Sequence, residues 1–367
     1  MKDKRNKVLL IASEFPPLPG GIGNHAFNLA KHLTRNGFVV EVISDQRCKN
    51  ASKELEFDKQ QGFFIKRISL RKLRVFMYFN RLVSTCKLIS KNEIIIASGK
   101  FSLWLAALFS VFFNKKFYAV VHGSEVNLTN AILKKCMNVS LQRFDAVIAV
   151  SKFTQSLISN LNLKRIYVIH NGFVKEEIPD INLNNELGFP SLVTVGSLTE
   201  RKGQNNVIRF LPYLQKSYPK IQYHCIGTPV NETLYLNLAK QYKVENQLTI
   251  HGLLNEEEKQ RILKSSTIFV MLSNQTNTGD VEGFGIALIE ANSFGIPTIG
   301  SKNCGIEDAI DNYKSGILID SNNLTEFENA LKEILVNYDR YQKEAVAWSE
   351  NFTWDKVIKE YIKVITD

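Results

Sequence analysis

Short apolar runs alternate with longer amphipathic segments along almost the whole of this 367-residue chain, and this alternation constrains the fold more than any other feature. Each run has the length of a buried strand, and the segments between the runs have helical spacing. In residues 24–36, for example, the apolar side chains fall near one face, and Gly37 ends the helix. Strands that alternate with helices form a parallel sheet covered on both faces. We therefore predict an α/β protein.

The alternation occurs in two series, separated by a polar, strand-poor segment at residues 173–188 that we interpret as a linker. The chain also exceeds the roughly 250–300 residues at which a single core stops growing. We therefore predict two doubly wound, Rossmann-like domains that bind ligands at the carboxyl ends of their strands. The predicted strands are residues 7–13, 38–44, 93–98, 117–123, 146–151 and 165–172, then 191–197, 221–227, 247–253, 267–273, 296–301 and 316–320.

Three features of the sequence argue against a secreted protein, a membrane-spanning protein and a small protein held together by disulfide bonds. The basic opening resembles a signal peptide, but its apolar run at residues 8–12 is shorter than the roughly 7–15 residues usual for one. The longest apolar run, residues 101–113, would reach only about 20 Å as a helix, short of a bilayer core of roughly 30 Å, so we predict a core helix. The five cysteines are scattered without a CxxC pair, which fits a reducing cytoplasm.

Charge is distributed unevenly between the two halves. Residues 1–175 hold 28 Lys/Arg against 10 Asp/Glu, whereas residues 176–367 hold 18 against 26. Residues 66–91 alone hold eight basic residues and no acidic one. We therefore expect the first half to face something anionic, the alternative being a basic face that is merely solvated.

The segment GDVEGFGIALIEANSFGIPTIGS, residues 279–301, carries the strongest chemical signal. A glycine-flanked turn that enters a helix offers backbone N–H groups and a positive dipole end, which suit a diphosphate. Glu282 lies in the turn, and Glu290 lies more than one turn into the helix. Two carboxylates beside a phosphate site are explained if each accepts hydrogen bonds from sugar hydroxyls. The alternative is a helix N-terminus whose acidic residues favour its dipole and bind no ligand.

The Glu-x7-Glu pattern EGFGIALIE, residues 282–290, resembles the signature of the family-four retaining glycosyltransferases, and the resemblance extends along nearly the whole chain. The other similar segments are LPGGIGNHAFNLAKHL (18–33), VHGSEV (121–126), VSKFT (150–154), IHNGF (169–173), VGSLTERKG (195–203) and NFTWDKVIKEYIKVI (351–365). The resemblance implies a GT-B fold, in which two Rossmann-like domains face a central cleft. It implies an N-terminal acceptor-binding domain at residues 1–172, a donor-binding domain at 173–350 and a helix at 351–367 that returns to the first domain.

The resemblance also implies roles for residues of the second half. Lys202 and the backbone of Phe284 and Gly285 would hold the diphosphate of the donor. Glu282 would bind the donor sugar, and Glu290 would bind the ribose. An ammonium that follows a strand and a turn is well placed for a phosphate.

Further residues are assigned in the same way. Gly21 would let the loop of the first domain approach the phosphates from the opposite side. His122, at the end of an apolar strand, would orient the donor sugar through a hydrogen bond, although a lone histidine there is often structural. Many family members carry arginine after the loop glycine, where Ser197 stands here, and Arg201 would supply that charge instead. Glu125 would position the loop or the acceptor.

The implied reaction moves a hexose-type sugar from a nucleotide diphosphate to an acceptor with retention of configuration. No DxD motif occurs in the chain, so we expect no metal ion, and Lys202, Arg201 and the helix amides would stabilise the leaving group. No cofactor beyond a UDP- or GDP-sugar is expected. Residues 251–253 resemble a base-contacting turn, and uridine and guanosine both remain possible as its base. No enzyme nucleophile stands out, which favours front-face attack.

The predicted acceptor is a lipid-linked or surface-polysaccharide precursor. The basic first half, with the apolar residues 76–79, suits the anionic inner face of the cytoplasmic membrane, where the enzyme would be peripheral. Two alternatives stay open: a GT-B-fold nucleotide-sugar epimerase or phosphorylase, and a basic nucleic-acid-binding module. The second lacks a recognised reader motif and leaves Glu282 and Glu290 unexplained, so we do not expect nucleic acid as a partner.

Overall fold

The computed structural model describes residues 6–48, 50–71, 73–175 and 188–367. The chain divides into two compact units: unit 1 is Met1–Gly172 with Trp354–Asp367, and unit 2 is Phe173–Thr353. Most of the predicted linker, at residues 176–187, lies outside the described residues. Among the helices that are described, none is both long enough and apolar enough to cross a membrane.

Unit 1 is built on a sheet of seven strands that pair in parallel. The strand order is β3-β2-β1-β4-β5-β6-β7, so the chain reverses its direction across the sheet between β1 and β4. The strands are β1 (Lys7–Ala12), β2 (Val39–Asp45), β3 (Phe64–Ile68), β4 (Ile94–Ser98), β5 (Lys116–Val121), β6 (Ala146–Ala149) and β7 (Ile166–Val168). Strands β4 and β6 are buried along their whole length, as expected of a parallel sheet covered on both faces.

Helices cover both faces of this sheet. They are α1 (Gly21–Arg35), α2 (Ser52–Lys59), α3 (Arg74–Ile89), α4 (Lys100–Phe109), α5 (Ala131–Leu141) and α6 (Lys152–Ser156), together with α13 (Trp354–Thr366) from the end of the chain. Right-handed crossovers place α1 and α2 on one face and α3, α4 and α5 on the other. The predicted core helix at residues 101–113 is α4. Helix α13 packs against α1 and buries Trp354 and Tyr361.

Each of the twelve predicted strands is present, but the sequence analysis missed β3. The first four residues of β3 are alternately exposed and half-buried, only Ile68 is buried, and Lys66 and Arg67 lie among them. The strand forms the edge of the sheet, where charged side chains discourage pairing with another chain. It therefore lacks the continuous apolar run on which the strand prediction depended.

Unit 2 contains a parallel sheet of six strands in the order β10-β9-β8-β11-β12-β13. The strands are β8 (Ser191–Val195), β9 (Gln222–Ile226), β10 (Leu248–Gly252), β11 (Ile268–Met271), β12 (Thr298–Ser301) and β13 (Gly316–Ile319). The helices are α7 (Gln204–Ser217), α8 (Glu232–Tyr242), α9 (Glu256–Ser265), α10 (Ile286–Ser293), α11 (Leu324–Val336) and α12 (Tyr338–Ser349). The prediction of two doubly wound α/β domains is thus confirmed.

In each unit the reversal of strand order identifies where a ligand would bind, because the loops diverge there at the carboxyl ends of two neighbouring strands. In unit 1 these two ends are Ser13, directly after β1, and Ser98, the last residue of β4. In unit 2 they are Gly196, directly after β8, and Met271, the last residue of β11. The candidate sites are built around these positions.

Candidate functional site

Four charged side chains meet at the carboxyl end of the unit 2 sheet. The Lys202 ammonium lies 2.8 Å from a carboxylate oxygen of Glu282, and Arg201 forms a second ion pair with the same carboxylate. Arg201 Nε lies 3.0 Å from the carboxylate of Asp280. Lys202 Nζ also lies 3.9 Å from the sulfur of Met271, at the end of β11. The structure therefore brings together the predicted Arg201, Lys202 and Glu282, and adds Asp280, which the sequence analysis missed.

The backbone around Lys202 directs its side chain into this cluster. Glu200–Lys202 form a single 3-10 turn between β8 and α7. A Cβ at Gly196 would lie 3.1 Å from Lys202 Cε, so glycine leaves room for the lysine to cross the loop. A Cβ at Gly203 would lie 1.7 Å from the carbonyl oxygen of Leu272, so only glycine lets α7 start against the end of β11.

The ion pairs decide the charge of Glu282, a residue that is only 9% exposed. Burial raises the pKa of this carboxyl, but Lys202 and Arg201 lower it by a larger amount, so the net pKa lies below its ordinary value. The carboxylate is therefore ionised at neutral pH. With Asp280, the cluster holds two cations and two anions, and an entering anion would have to compete with carboxylates for the cations.

Helix α10 begins beside this cluster at Ile286, four residues after Glu282. Gly285 precedes the helix with φ 93°, a left-handed conformation that favours glycine. The Phe284 side chain is 1% exposed and packs against Phe352 with 5.6 Å between ring centroids, so its predicted contribution to a ligand site is limited to its backbone. Glu290 lies in the second turn of α10 and is half-buried.

The predicted base-contacting turn lies at the end of β10. His251 Nε2 is 3.1 Å from Nδ1 of His224, and the two rings stack with 5.3 Å between centroids. Burial lowers the pKa of His251, and the neighbouring His224 and Arg261 lower it further. The turn therefore presents a neutral imidazole next to Leu253, which is 68% exposed.

In unit 1 the predicted His122 directly follows β5. Its Nε2 lies 2.9 Å from the hydroxyl of Ser98, at the end of β4. Its backbone N–H donates to Oε1 of Glu125 across 2.6 Å, which closes the turn after the strand. Burial lowers the pKa of His122 to about 4, so the imidazole is neutral at neutral pH. A neutral imidazole can orient a hydroxyl group without adding charge to the site.

Like Glu282 in unit 2, Glu125 carries a buried carboxyl group, and the residue is 5% exposed. Its Oε2 atom has no hydrogen-bond partner within the described part of the chain. Burial raises its pKa to about 7; the hydrogen bond from the His122 backbone and the charge of Lys100 offset only part of that effect. The geometry supports the predicted positioning of the loop, because Glu125 fixes the backbone that carries His122.

The sequence analysis missed a histidine, His25 of α1, that contacts His122. The two rings pack edge-to-face with 5.0 Å between centroids, and His25 Nε2 lies 3.0 Å from the hydroxyl of Tyr361 on α13. Burial lowers the pKa of His25 well below its ordinary value, and the proximity of His122 adds to this. Helix α13 therefore supports the His122 ring through His25.

Gly21 is the first residue of α1 and is exposed. A Cβ at this position would meet no atom within 4 Å, whereas a Cβ at Gly20 would lie 2.4 Å from Oε2 of Glu14. The packing of the described residues therefore explains glycine at position 20 but not at position 21. The first turn of α1 contains no acidic residue, but the Glu14 carboxylate lies beside Gly20, the residue directly before the helix.

Two protein-family models match the chain, and between them they span both units. Residues 19–177 match the model described as Glycosyltransferase Family 4. Residues 175–352 match the model described as Glycosyl transferases group 1.

One relative and two solved structures are similar to this chain over more than nine-tenths of its length. The GDP-mannose-dependent alpha-(1-6)-phosphatidylinositol monomannoside mannosyltransferase of Mycobacterium tuberculosis is 23% identical over 356 residues, covering 91% of this chain and 90% of the relative. The sucrose-phosphate synthase of Thermosynechococcus elongatus superposes with a TM-score of 0.82 at 16% identity over 98% of each chain. Anabaena Alr3699/HepE, in complex with UDP and glucose, gives 0.79 at 17% identity over 98% of this chain and 99% of the other.

The likeness to these structures shows the GT-B fold, as the sequence resemblance implied. The two family models and the relative show the activity at the level of its class, the transfer of a glycosyl group. The chain belongs to the family-four glycosyltransferases.

Proposed function

We propose that this glycosyltransferase is a retaining, metal-independent hexosyltransferase that uses a UDP- or GDP-sugar as its donor. The observation that carries the proposal is the cluster of Lys202, Arg201 and Glu282 beside the glycine turn that opens α10. The two cations and the helix N-terminus would stabilise the charge of a departing diphosphate. The relative is named as GDP-mannose-dependent and the HepE structure holds UDP, which supports a nucleotide-sugar donor and leaves its base open.

Donor binding would rearrange the ion pairs of this cluster. A diphosphate competes with Glu282 and Asp280 for Lys202 and Arg201, because it carries more negative charge than either carboxylate. Glu282, once separated from the cations, would accept hydrogen bonds from hydroxyl groups of the donor sugar. The ion pair thus keeps the carboxylate ionised and in place until the donor arrives.

The remaining predicted residues would complete the donor site. The backbone N–H groups of Phe284 and Gly285 would bind the diphosphate at the start of α10. Glu290, one turn further along the helix, would accept a hydrogen bond from the ribose. Gly21 would leave the N-terminus of α1 open to a phosphate.

In the proposed transfer step, the bond between the anomeric carbon and the phosphate oxygen breaks. The acceptor hydroxyl oxygen forms the new bond to the same carbon from the same face, and the departing phosphate accepts its proton. This front-face course needs no enzyme nucleophile. The neutral His122, held by Ser98 and His25, would orient the donor sugar.

We propose a lipid-linked or surface-polysaccharide precursor as the acceptor, and the inner face of the cytoplasmic membrane as the place of reaction. The excess of basic residues in the first half supports this location. Two of the eight basic residues at 66–91 do not contribute, because Arg67 is paired with Asp58 at 2.7 Å and Arg81 is paired with Asp45. The relative's name specifies a phosphatidylinositol monomannoside acceptor, which supports a glycolipid.

The proposal is tested by screening UDP- and GDP-sugars for stabilisation of the protein against heat. A donor present at about a hundred times its Kd stabilises the folded state by about 2.7 kcal/mol, which is readily detected. The donors that bind are then incubated with lipid-linked acceptors, and the anomeric configuration of the product is read by NMR.

Each part of the proposal has its own contradicting result. Stabilisation by neither class of nucleotide sugar would contradict the donor assignment. An inverted product would contradict retention. Activity that is lost in EDTA and restored by a divalent cation would contradict metal independence.

A further inference from the structure

One outer face of unit 1 is free of acidic residues in its helices. Helices α3, α4 and α5 lie on the same side of the sheet, α3 and α4 line a common pocket, and α4 packs against α5. None of the three helices contains an aspartate or a glutamate. Between residues 60 and 144 the chain holds fourteen Lys/Arg and two Asp/Glu.

The two acidic residues of this stretch do not neutralise the face. Glu93 forms an ion pair with Lys115 at 2.8 Å, and Glu125 is buried in the site beside His122. The basic residues Arg74, Lys134 and Lys135 are exposed. Arg67 and Arg81, two of the fourteen, are paired with Asp58 and Asp45, and the exposed basic residues leave the surface of the three helices positive.

Large apolar side chains are exposed on the same three helices and in the turn after α4. Each of the following is between 50% and 74% exposed: Val75, Phe76, Phe79, Phe101, Phe112 and Ile132. Apolar groups at this density on one face, interspersed with basic residues, mark an interaction surface rather than a solvated one. A face that is merely basic would not explain the phenylalanines.

We propose that this acid-free face, formed by α3, α4 and α5, docks on an anionic lipid bilayer. The basic residues would lie among the lipid headgroups, and the phenylalanines would insert at the start of the acyl chains. A bilayer of this kind supplies negative charge and an apolar layer side by side. A nucleic acid would leave Val75 and Ile132 in water, and an apolar protein surface would leave Lys134 and Lys135 without counter-charge.

The inference deepens the proposed function, on which it rests in taking the acceptor to be lipid-linked and the place of reaction to be a membrane surface. It adds that apolar insertion contributes to binding, so attraction of charges alone does not hold the enzyme at the membrane. Binding to anionic vesicles should therefore weaken with salt without being abolished by it.

The test is co-sedimentation of the full chain with phosphatidylcholine vesicles that do or do not contain phosphatidylglycerol. The wild type is expected to bind the anionic vesicles. The double variant Phe76→Ser/Phe79→Ser should lower the partition coefficient about tenfold or more. The matched control is Leu234→Ser/Leu236→Ser on α8 of unit 2, where both leucines are exposed, and it should bind like the wild type.

A charge variant separates the two contributions. Lys134→Glu/Lys135→Glu should weaken binding strongly at low salt and much less at high salt, because only the electrostatic part is screened. The proposal is overturned if the wild type fails to bind phosphatidylglycerol vesicles, if the phenylalanine variant binds like the wild type, or if the α8 control loses as much. Tighter binding to an RNA oligonucleotide that also depends on Phe76 and Phe79 would overturn it in favour of nucleic acid.

Different results would contradict the docking face and the proposed function. Nucleotide-sugar stabilisation should be unchanged in Phe76→Ser/Phe79→Ser, as should transfer to an acceptor dissolved in detergent. Vesicle binding without any response to nucleotide sugars would contradict the proposed function and leave the docking face intact. Donor binding and transfer without vesicle binding would contradict the docking face and the proposed membrane location, and would leave the proposed donor and transfer reaction intact.

Discussion

Glu282 in unit 2 and Glu125 in unit 1 are both buried near the carboxyl end of a parallel sheet, yet their pKa values are shifted in opposite directions. Burial raises the pKa of each. Around Glu282, Lys202 and Arg201 outweigh burial, and the pKa falls below its ordinary value. Around Glu125, a backbone N–H and the charge of Lys100 offset burial only in part, and the pKa is about 7. The partners, rather than the burial, decide which carboxyl group is charged.

The two surroundings fit the two parts of a nucleotide sugar. A diphosphate is charged and needs cations, which unit 2 holds in ion pairs that a ligand can exchange. A sugar offers hydroxyl groups, for which unit 1 holds neutral hydrogen-bonding partners in His122 and Ser98. On our proposal, unit 2 therefore binds the charged diphosphate and, through Glu282, part of the sugar, and His122 of unit 1 orients the sugar.

The largest effect is expected from removing a cation of the unit 2 cluster. Lys202→Ala should lower kcat/KM about a thousandfold, because the ammonium would stabilise the departing diphosphate in a site of low polarity. The control is Lys302→Ala in the same unit, where the lysine forms an exposed pair with Glu326 at 3.0 Å. Steady-state kinetics with the identified donor checks both. Equal losses of kcat/KM in the two variants would contradict a specific role for Lys202.

The next largest effect is expected on the free energy of unfolding, and it depends on Glu125. Because its pKa is raised to about 7, the folded state binds more protons than the unfolded state between pH 4.5 and about 7. Stability due to this group is therefore lost as pH rises through that window, by about 3 kcal/mol in total. Glu125→Gln should be more stable than the wild type at about pH 8 and show little difference at about pH 4, below the window.

Urea unfolding of both proteins at the two pH values measures this difference. The lowered pKa values of His25 and His122 affect stability in the opposite sense, but they are common to both proteins and cancel in the comparison. Glu14 and Lys100 face Glu125 and are also common to both. A stability difference that does not depend on pH would show that Glu125 is charged in the folded state, as Glu282 is.

Replacing Glu282 tests whether its ion pairs compete with a ligand. Glu282→Gln should lower turnover about a hundredfold, because the sugar would lose a charged hydrogen-bond acceptor. The same change should leave binding of free UDP or GDP as tight as in the wild type or tighter, since Lys202 and Arg201 lose a competing carboxylate. Calorimetric titration with the nucleotide measures this. Weaker nucleotide binding would contradict the exchange of partners.

The smallest effect is expected at His122. His122→Asn should lower kcat about tenfold, which corresponds to the loss of one oriented hydrogen bond to the sugar. Because the pKa of His122 is about 4, the wild-type rate should not follow a histidine titration between about pH 6 and 8. A rate that depends on a group titrating in that range, and that loses this dependence in His122→Asn but keeps it in Glu125→Gln, would show that the imidazolium acts instead.

Much of this arrangement followed from the sequence, because the chemistry of unit 2 lies in short segments at strand ends. Arg201 and Lys202 follow β8, Glu282 follows β11, and the reversal of strand order makes these two strands neighbours. The pairing of Glu282 with both cations was not foreseen, because side-chain direction cannot be read from spacing. The motif resemblance implies only a sugar as the partner of this carboxylate.

Other features depended on contacts between distant parts of the chain. His25 lies within the glycine-loop segment, but its role became visible only once α13 placed the Tyr361 hydroxyl, 336 residues later, against it. Asp280 lies two residues before Glu282 and carries no motif of its own. The exposed residues of α4 were read as part of a core helix, because an apolar run does not reveal which of its side chains face outward.

The central claim is that the Lys202 cluster of unit 2 holds the diphosphate, and a crystal structure of the chain with bound UDP or GDP tests it most directly. We expect the diphosphate within hydrogen-bonding distance of Lys202 Nζ and of the backbone N–H groups at the start of α10, with Glu282 separated from Lys202. A diphosphate bound elsewhere, with the Lys202–Glu282 ion pair still at 2.8 Å, would contradict the account.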